Sequence, residues 1–259
     1  MNKDTLHLMM VPFTGLGEFG GYRSDSWFKH RIIIFKQFTL NGLLKQTDQN
    51  FTLWCSFRPE ERENPICQEL YTYLKEVCTF PVVFTYGGLP FWDDKFPNDN
   101  LFERLKIMLP QLKETVGDYK WILETIQPSD DTYHKDFVKE VNKQEPAYKR
   151  SFLHSNGYVY DMINKRLAEW RPITNPPFYT IVYPRDVFLD PVKRFKYCKE
   201  YRSHESAATA FKSVKLADGQ YCVGVHKGNI STSWWHPFRC KEIKGKKAQK
   251  ILKGFGIEC

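Results

Sequence analysis

Two adjacent carboxylates, Asp130 and Asp131, stand just past an apolar run (Trp121, Ile122, Leu123) and a Pro128-Ser129 break. Paired acids at the carboxyl end of a buried strand are where an open α/β sheet places ligand chemistry. They also suit a hard divalent cation, Mg²⁺ or Mn²⁺, that bridges phosphate oxygens. The pair therefore points to an enzyme handling a phosphorylated substrate. The same acids have a structural use: after a proline break they cap a helix, here one carrying Tyr133, His134, Phe137 and Val138. One residue can serve both ends.

The elements that must position these acids follow from periodicity. Leu6 to Phe13 reads as a buried strand, and Trp27 to Gln46 has helical spacing. Strands over Phe51–Phe57, Pro81–Tyr86 and Trp121–Thr125 alternate with helices over Asn64–Val77 and Asn100–Val116, the latter interrupted at Pro110. Strands alternating with helices over some 140 residues predict a largely parallel sheet covered on both faces. The second half changes character. Asn156-Gly157 predicts a hairpin between Phe152-Leu153 and Tyr158–Tyr160. Arg166–Trp170 and Phe178–Tyr183 add strands, Pro191–Phe211 is helical, Tyr221–Val225 is a last strand and Ala248–Phe255 a last helix. No repeat or flexible linker interrupts the chain, so one domain, 1–259, is the economical reading.

Gly15-Leu16-Gly17-Glu18-Phe19-Gly20 matches the dinucleotide fingerprint, but its context does not. Polar and aromatic residues separate it from the helix, and the second strand ends only near Phe57. A loop near a ligand is the better reading, with Arg23 and Trp27 as contacts for phosphate or base. There is no GxxxxGK[ST] run, so a P-loop is not supported.

The totals narrow the partners. A net charge of +8 favours negatively charged ones: nucleotide sugars, anionic lipid or nucleic acid. Six lysines between Lys241 and Lys253 make part of that excess local, either a solvated final helix or a binding patch. The seven cysteines are scattered without a CxxC pair, which argues for free thiols in a reducing compartment. The amino terminus lacks the apolar run of a signal peptide and no stretch reaches membrane-spanning length, so a cytoplasmic protein is expected.

Several segments together resemble the rhamnosyltransferase-like group of GT-A glycosyltransferases. They are Arg31 with FKQFTLNGLLKQTDQNFTLW, the acidic SDDTYHKDFV, NGYVYD with PPFYTIVYPRDVFLD, and VHKGNIS. The resemblance implies a GT-A-like α/β fold, Rossmann-like in its nucleotide-sugar half, with 1–140 binding the donor and 141–259 the acceptor. The group's acidic motif reads Asp-x-Asp-Asp, whereas Pro128 stands here at its first position. Asp130 then matches the direct metal ligand, with Asp131 beside it and His226 completing the shell. Arg23, Trp27, Arg31, Ser129, Asp130, Lys227 and Asn229 are the implied donor contacts.

Transfer also needs a base for the acceptor hydroxyl. Asp186, Asp190 and His204 are the candidates, with Glu205 next to the last. Arg185, Trp234 and Trp235 are candidates to line an acceptor cleft, since sugar faces stack on aromatic rings. The expected function is metal-assisted transfer of a sugar from a nucleotide-sugar to a hydroxyl of a glycan or other acceptor. Two alternatives stay open: a phage-type enzyme glycosylating a hydroxylated DNA base, and a non-catalytic nucleotide or nucleic-acid binding module on a decayed transferase fold.

Overall fold

Every residue of the first strand, β1 (Thr5–Pro12), is buried. Burial on both sides marks the centre of a parallel sheet. The computed structural model describes residues 3–14, 24–90, 101–202, 204–227 and 240–258. Its further strands are β2 (Thr52–Phe57), β3 (Val82–Tyr86), β4 (Trp121–Ile126), β5 (Thr132–Tyr133), β6 (Arg150–Leu153), β7 (Gly157–Asp161), β8 (Arg166–Trp170), β9 (Tyr179–Pro184), β10 (Lys212–Lys215), β11 (Tyr221–Val225) and β12 (Cys240–Ile243).

They form a seven-stranded sheet of order β10-β6-β9-β4-β1-β2-β3 and a five-stranded sheet of order β12-β8-β7-β11-β5. In the large sheet β1, β2, β3 and β4 are mutually parallel, and β9 runs against both β4 and β6. The carboxyl ends of β1, β2 and β4 thus share one rim, as the sequence predicts for an α/β fold.

Helices cover both faces. The first, α1 (Asp25–Ile34), is capped by the Ser24 hydroxyl and runs through a π-helical turn, Phe35–Leu40, into α2 (Asn41–Leu44). It packs with α3 (Pro65–Val77) on the face presented by Met9 and Val11. The opposite face, presented by Leu6, Leu8 and Met10, receives α4 (Leu101–Met108), a 3₁₀ turn at Leu109–Leu112 that contains Pro110, and α5 (Lys113–Val116). The later helices are α6 (Phe137–Asn142), α7 (Arg185–Leu189), α8 (Pro191–Tyr201), α9 (His204–Ala210) and the lysine-rich α10 (Gly245–Gly254). None among the described residues is long and apolar enough to cross a membrane.

Three local expectations change. The acids open no helix: they turn the chain from β4 into β5, and α6 begins only at Phe137. Asn156-Gly157 joins no hairpin, because β6 lies in the large sheet and β7 in the small one. The Asn156 amide donates to Asp218 Oδ2 at 2.9 Å, tying the turn to the segment before β11. Finally, β10 and β12 are further strands that periodicity does not predict; β12 follows β11, and β10 pairs with β6 at the sheet edge.

The sequence halves interleave. β5, from the first half, joins the small sheet, while β6, β9 and β10 from the second half join the large one. A single apolar cluster spans both sheets, from Met9 and Leu123 to Val159, Trp170 and Tyr221.

Candidate active site

The acidic turn is built by short-range bonds before any ligand enters. Gln127, fully buried, donates from Nε2 to the carbonyls of Pro128 at 2.9 Å and Asp131 at 3.0 Å. The Tyr133 hydroxyl reaches back to the Ile126 carbonyl at 2.7 Å. The turn is therefore held closed from both sides at the carboxyl end of β4, with Ser129 buried within it.

The two carboxylates take different surroundings. Asp130 Oδ2 pairs with the guanidinium of Arg31 from α1 and lies 3.1 Å from His226 Nε2, just past β11. Arg31 is buried, and its guanidinium also stands 5.2 Å from the Trp27 ring centre. Burial alone would raise the Asp130 carboxyl, but the Arg31 charge and the His226 hydrogen bond hold it below the ordinary carboxylate range.

Asp131 turns the other way and accepts the Gly224 N–H at 2.9 Å. Burial and the neighbouring Asp130 charge lift it well above the ordinary range, which the Gly224 bond offsets only in part. Burial, charge and hydrogen bonding thus push the two adjacent acids in opposite directions.

His226 is fixed at both nitrogens. Nδ1 lies 3.0 Å from the Lys227 carbonyl, and that same carbonyl accepts from His30 Nε2 at 2.8 Å. The close approach has a backbone cause: a Cβ on Gly224 would stand 2.3 Å from the Asp130 carbonyl oxygen. Only glycine lets β11 pass this near the acidic turn.

The structure thus brings together Arg31, Trp27, Ser129, Asp130, Asp131, His226 and Lys227 from the sequence-based candidates. It does not bring Arg185, Asp186 or Asp190 to them. These three follow β9, whose last residue, Pro184, is in register with Trp121 at the amino end of β4. They stand on the opposite rim from Asp130. There Arg185 Nε donates to the Gly117 carbonyl at 2.6 Å, Asp186 pairs with Lys193 at 2.7 Å, and Asp190 caps α8.

His204 opens α9, which packs on β6 and β10 beyond β9; its carbonyl accepts from Asn175 at 2.7 Å. Arg23, Asn229, Trp234 and Trp235, with the Gly15–Gly20 motif, lie outside the described residues. His30, Gln127 and Gly224 are site residues that the sequence does not single out. A glycine within the apolar run YCVGV was the only visible hint of the last.

The comparisons are distant. No family model matches the chain, and no curated protein does. Among solved structures, it is similar to one from Desulfovibrio desulfuricans G20 described provisionally as a nucleotide-diphospho-sugar transferase. The two are 12% identical, with a TM-score of 0.37 over 85% of this chain and 81% of the other. Mouse xyloside xylosyltransferase 1, in its apo form, is also 12% identical, with a TM-score of 0.37 over 82% of this chain and 85% of its own. Likenesses this remote bear on neither the site nor the activity.

Proposed function

We propose that the protein transfers a sugar from a nucleotide-sugar donor to a hydroxyl of a glycan or other acceptor, assisted by Mg²⁺ or Mn²⁺. The observation that supports this best is the ionised Asp130 at the carboxyl end of β4, facing the His226 ring at 3.1 Å. In the transfer, the bond from the anomeric carbon to the diphosphate breaks and its electron pair leaves with the diphosphate. The acceptor oxygen bonds to that carbon, and its proton passes to an oxygen of the departing diphosphate.

The donor set suits a hard or borderline divalent ion. Asp130 offers a carboxylate oxygen and His226 an imidazole nitrogen, with the other ring nitrogen held by the Lys227 carbonyl. Such outer bonding is how metal-ligating histidines are oriented. Asp131 is committed to Gly224 and does not join them. Among the described residues no cluster of three or more His, Cys, Asp or Glu assembles. Asp130 and His226 would therefore hold the ion together with diphosphate oxygens and water, the sharing usual for Mg²⁺. Bound there, the ion would neutralise charge developing on the leaving diphosphate.

The protein's own part is positional. Arg31, buried on α1, fixes the Asp130 carboxylate. The Gly224 N–H fixes Asp131, and the exposed Lys227 side chain adds positive charge beside them.

A thermal-shift panel of nucleotide sugars with and without Mn²⁺ tests the reading. One donor should raise the melting temperature, through mass-action linkage, and should need the metal to do so. Asp130→Ala should remove the metal-dependent part and slow donor turnover on the order of 10²-fold or more. Failure of every donor with metal present would overturn the proposal.

A further inference from the structure

His226 and Lys227 also line a cleft of about 670 Å³. One wall is the outer surface of the π-helical turn and its flanks, including Gln37, Phe38 and Asn41. The other is the β7–β8 connection, and residues 256–258 close the end. The cleft and the acidic turn meet at His226 and Lys227, so a molecule seated there abuts the place assigned to the donor diphosphate.

We infer that this cleft is the acceptor subsite and that it takes a hydroxylated, sugar-like molecule bearing an anionic group, a phosphate monoester or a carboxylate. The inference rests on the transferase reading. Three observations carry it. The first is charge: Lys45, Lys165 and Lys227 line the cleft against one acid, Glu258. All three lysines are exposed, so their charges face whatever enters. Positive walls around a concave site concentrate anions.

The second is backbone. Lys165 has φ 53°, the left-handed region that side-chain-bearing residues rarely adopt. The loop imposes this conformation. Asp161 Oδ1 accepts the Ile163 and Asn164 N–H groups, both at 3.0 Å, while Oδ2 takes the Asn164 amide at 2.7 Å and Arg166 at 3.0 Å. Glycine or asparagine fits such a position at lower cost, yet a cation occupies it at the mouth of the cleft.

The third is the wall itself. A π-helical turn within an α-helix is an energetically poorer geometry that recurs at functional sites. Here it sets the exposed Gln37 and Asn41 on the wall, over a buried Phe38 that stacks with Tyr160 at 6.2 Å between centres and 11° between planes. Exposed amides ringed by lysines suit a hydroxylated molecule with a charged substituent.

The test titrates glucose 6-phosphate, glucuronate and glucose into the full chain by calorimetry at low ionic strength, where screening is weak. A panel of nucleoside diphosphates with Mn²⁺ is run as a separate arm. One or both anionic sugars should bind about tenfold or more tighter than glucose, the scale expected of two or three partly exposed charge contacts. Preference for the phosphate alone assigns a phosphate monoester; preference for both assigns acidic sugars generally. Lys45→Glu with Lys165→Glu should erase the preference and leave nucleotide binding in place.

Lys165→Gly gives a second variant that relaxes the backbone. It should raise the melting temperature while weakening the anionic probes. Equal binding of glucose and the acids, or a preference that survives both variants, overturns the inference. Loss of nucleotide binding in the wild-type protein with the preference intact overturns the transferase reading and leaves the cleft an anion site.

Discussion

Asp130 and Asp131 are neighbours in sequence with the same side chain, and the fold gives them different work. Arg31 and His226 close on Asp130 and favour its charged form; burial and the Asp130 charge push Asp131 the other way. Asp131→Asn keeps an oxygen for the Gly224 N–H, so it should melt within a degree or two of wild type and retain any donor-induced shift. Asp131→Ala leaves that buried N–H without its acceptor and should cost about 1–3 kcal/mol by urea unfolding. Gly224→Ala, which forces a Cβ against the Asp130 carbonyl, should cost about the same or more. If Asp131→Asn proves as damaging as Asp131→Ala, this division of roles is wrong. The acids were legible in the sequence because they end an apolar run. Their difference was not: it arises from Arg31 and Gly224, each more than ninety positions away.

At the scale of elements, β4 is anchored to the helical layer by a buried ion pair, Glu124 with Arg194 of α8. Arg194 also lies over the rings of Phe188 at 4.1 Å and Tyr183 at 4.5 Å. Burial favours the neutral acid and pushes Glu124 up, while the Arg194 charge opposes the rise. Removing one partner strands a charge, so Glu124→Ala should destabilise by about 3–5 kcal/mol. Glu124→Leu with Arg194→Met should recover most of that loss in the same denaturation assay. If the double variant is as unstable as the single, the pair is more than a replaceable anchor.

The first 126 residues were readable because their central strands are continuous apolar runs and a helix such as α3 sets Ile66, Leu70 and Leu74 on one face. Beyond residue 126 the reading failed where tertiary bonds outrank local signals. The Asn156-Gly157 turn is spent on Asp218 rather than on a hairpin, and Thr132-Tyr133, which follow the acids, pair with β11. The catalytic-base candidates after β9 failed to reach the site for a topological reason. β9 runs antiparallel to β4, so residues leaving its carboxyl end emerge at the far rim. No local pattern announces a reversed strand within an otherwise parallel run.

For the whole molecule, the buried histidines set the acid limit. His7, on β1, is fully buried and bonded to Asn142 Oδ1 at 2.9 Å and Thr125 Oγ1 at 2.8 Å, and desolvation pulls its pKa down to about 4. His154 is lowered to about 4 for the same reason. Both values lie below the unfolded value near 6.5, so the unfolded chain takes up protons first as pH falls. Stability is full above about pH 6.5 and declines toward pH 4, by on the order of 3 kcal/mol per histidine. Urea midpoints should fall steeply across that window, and His7→Asn should flatten the slope; an unchanged slope would remove His7 from the account.

The acidic turn has one more consequence. Residues 127–131 carry the chain from one sheet to the other with no slack, since β4 ends at Ile126 and β5 begins at Thr132. Length in that span is therefore constrained more tightly than composition. A single inserted residue there would let the two layers slide out of mesh, whereas many exchanges of side chain would leave them aligned.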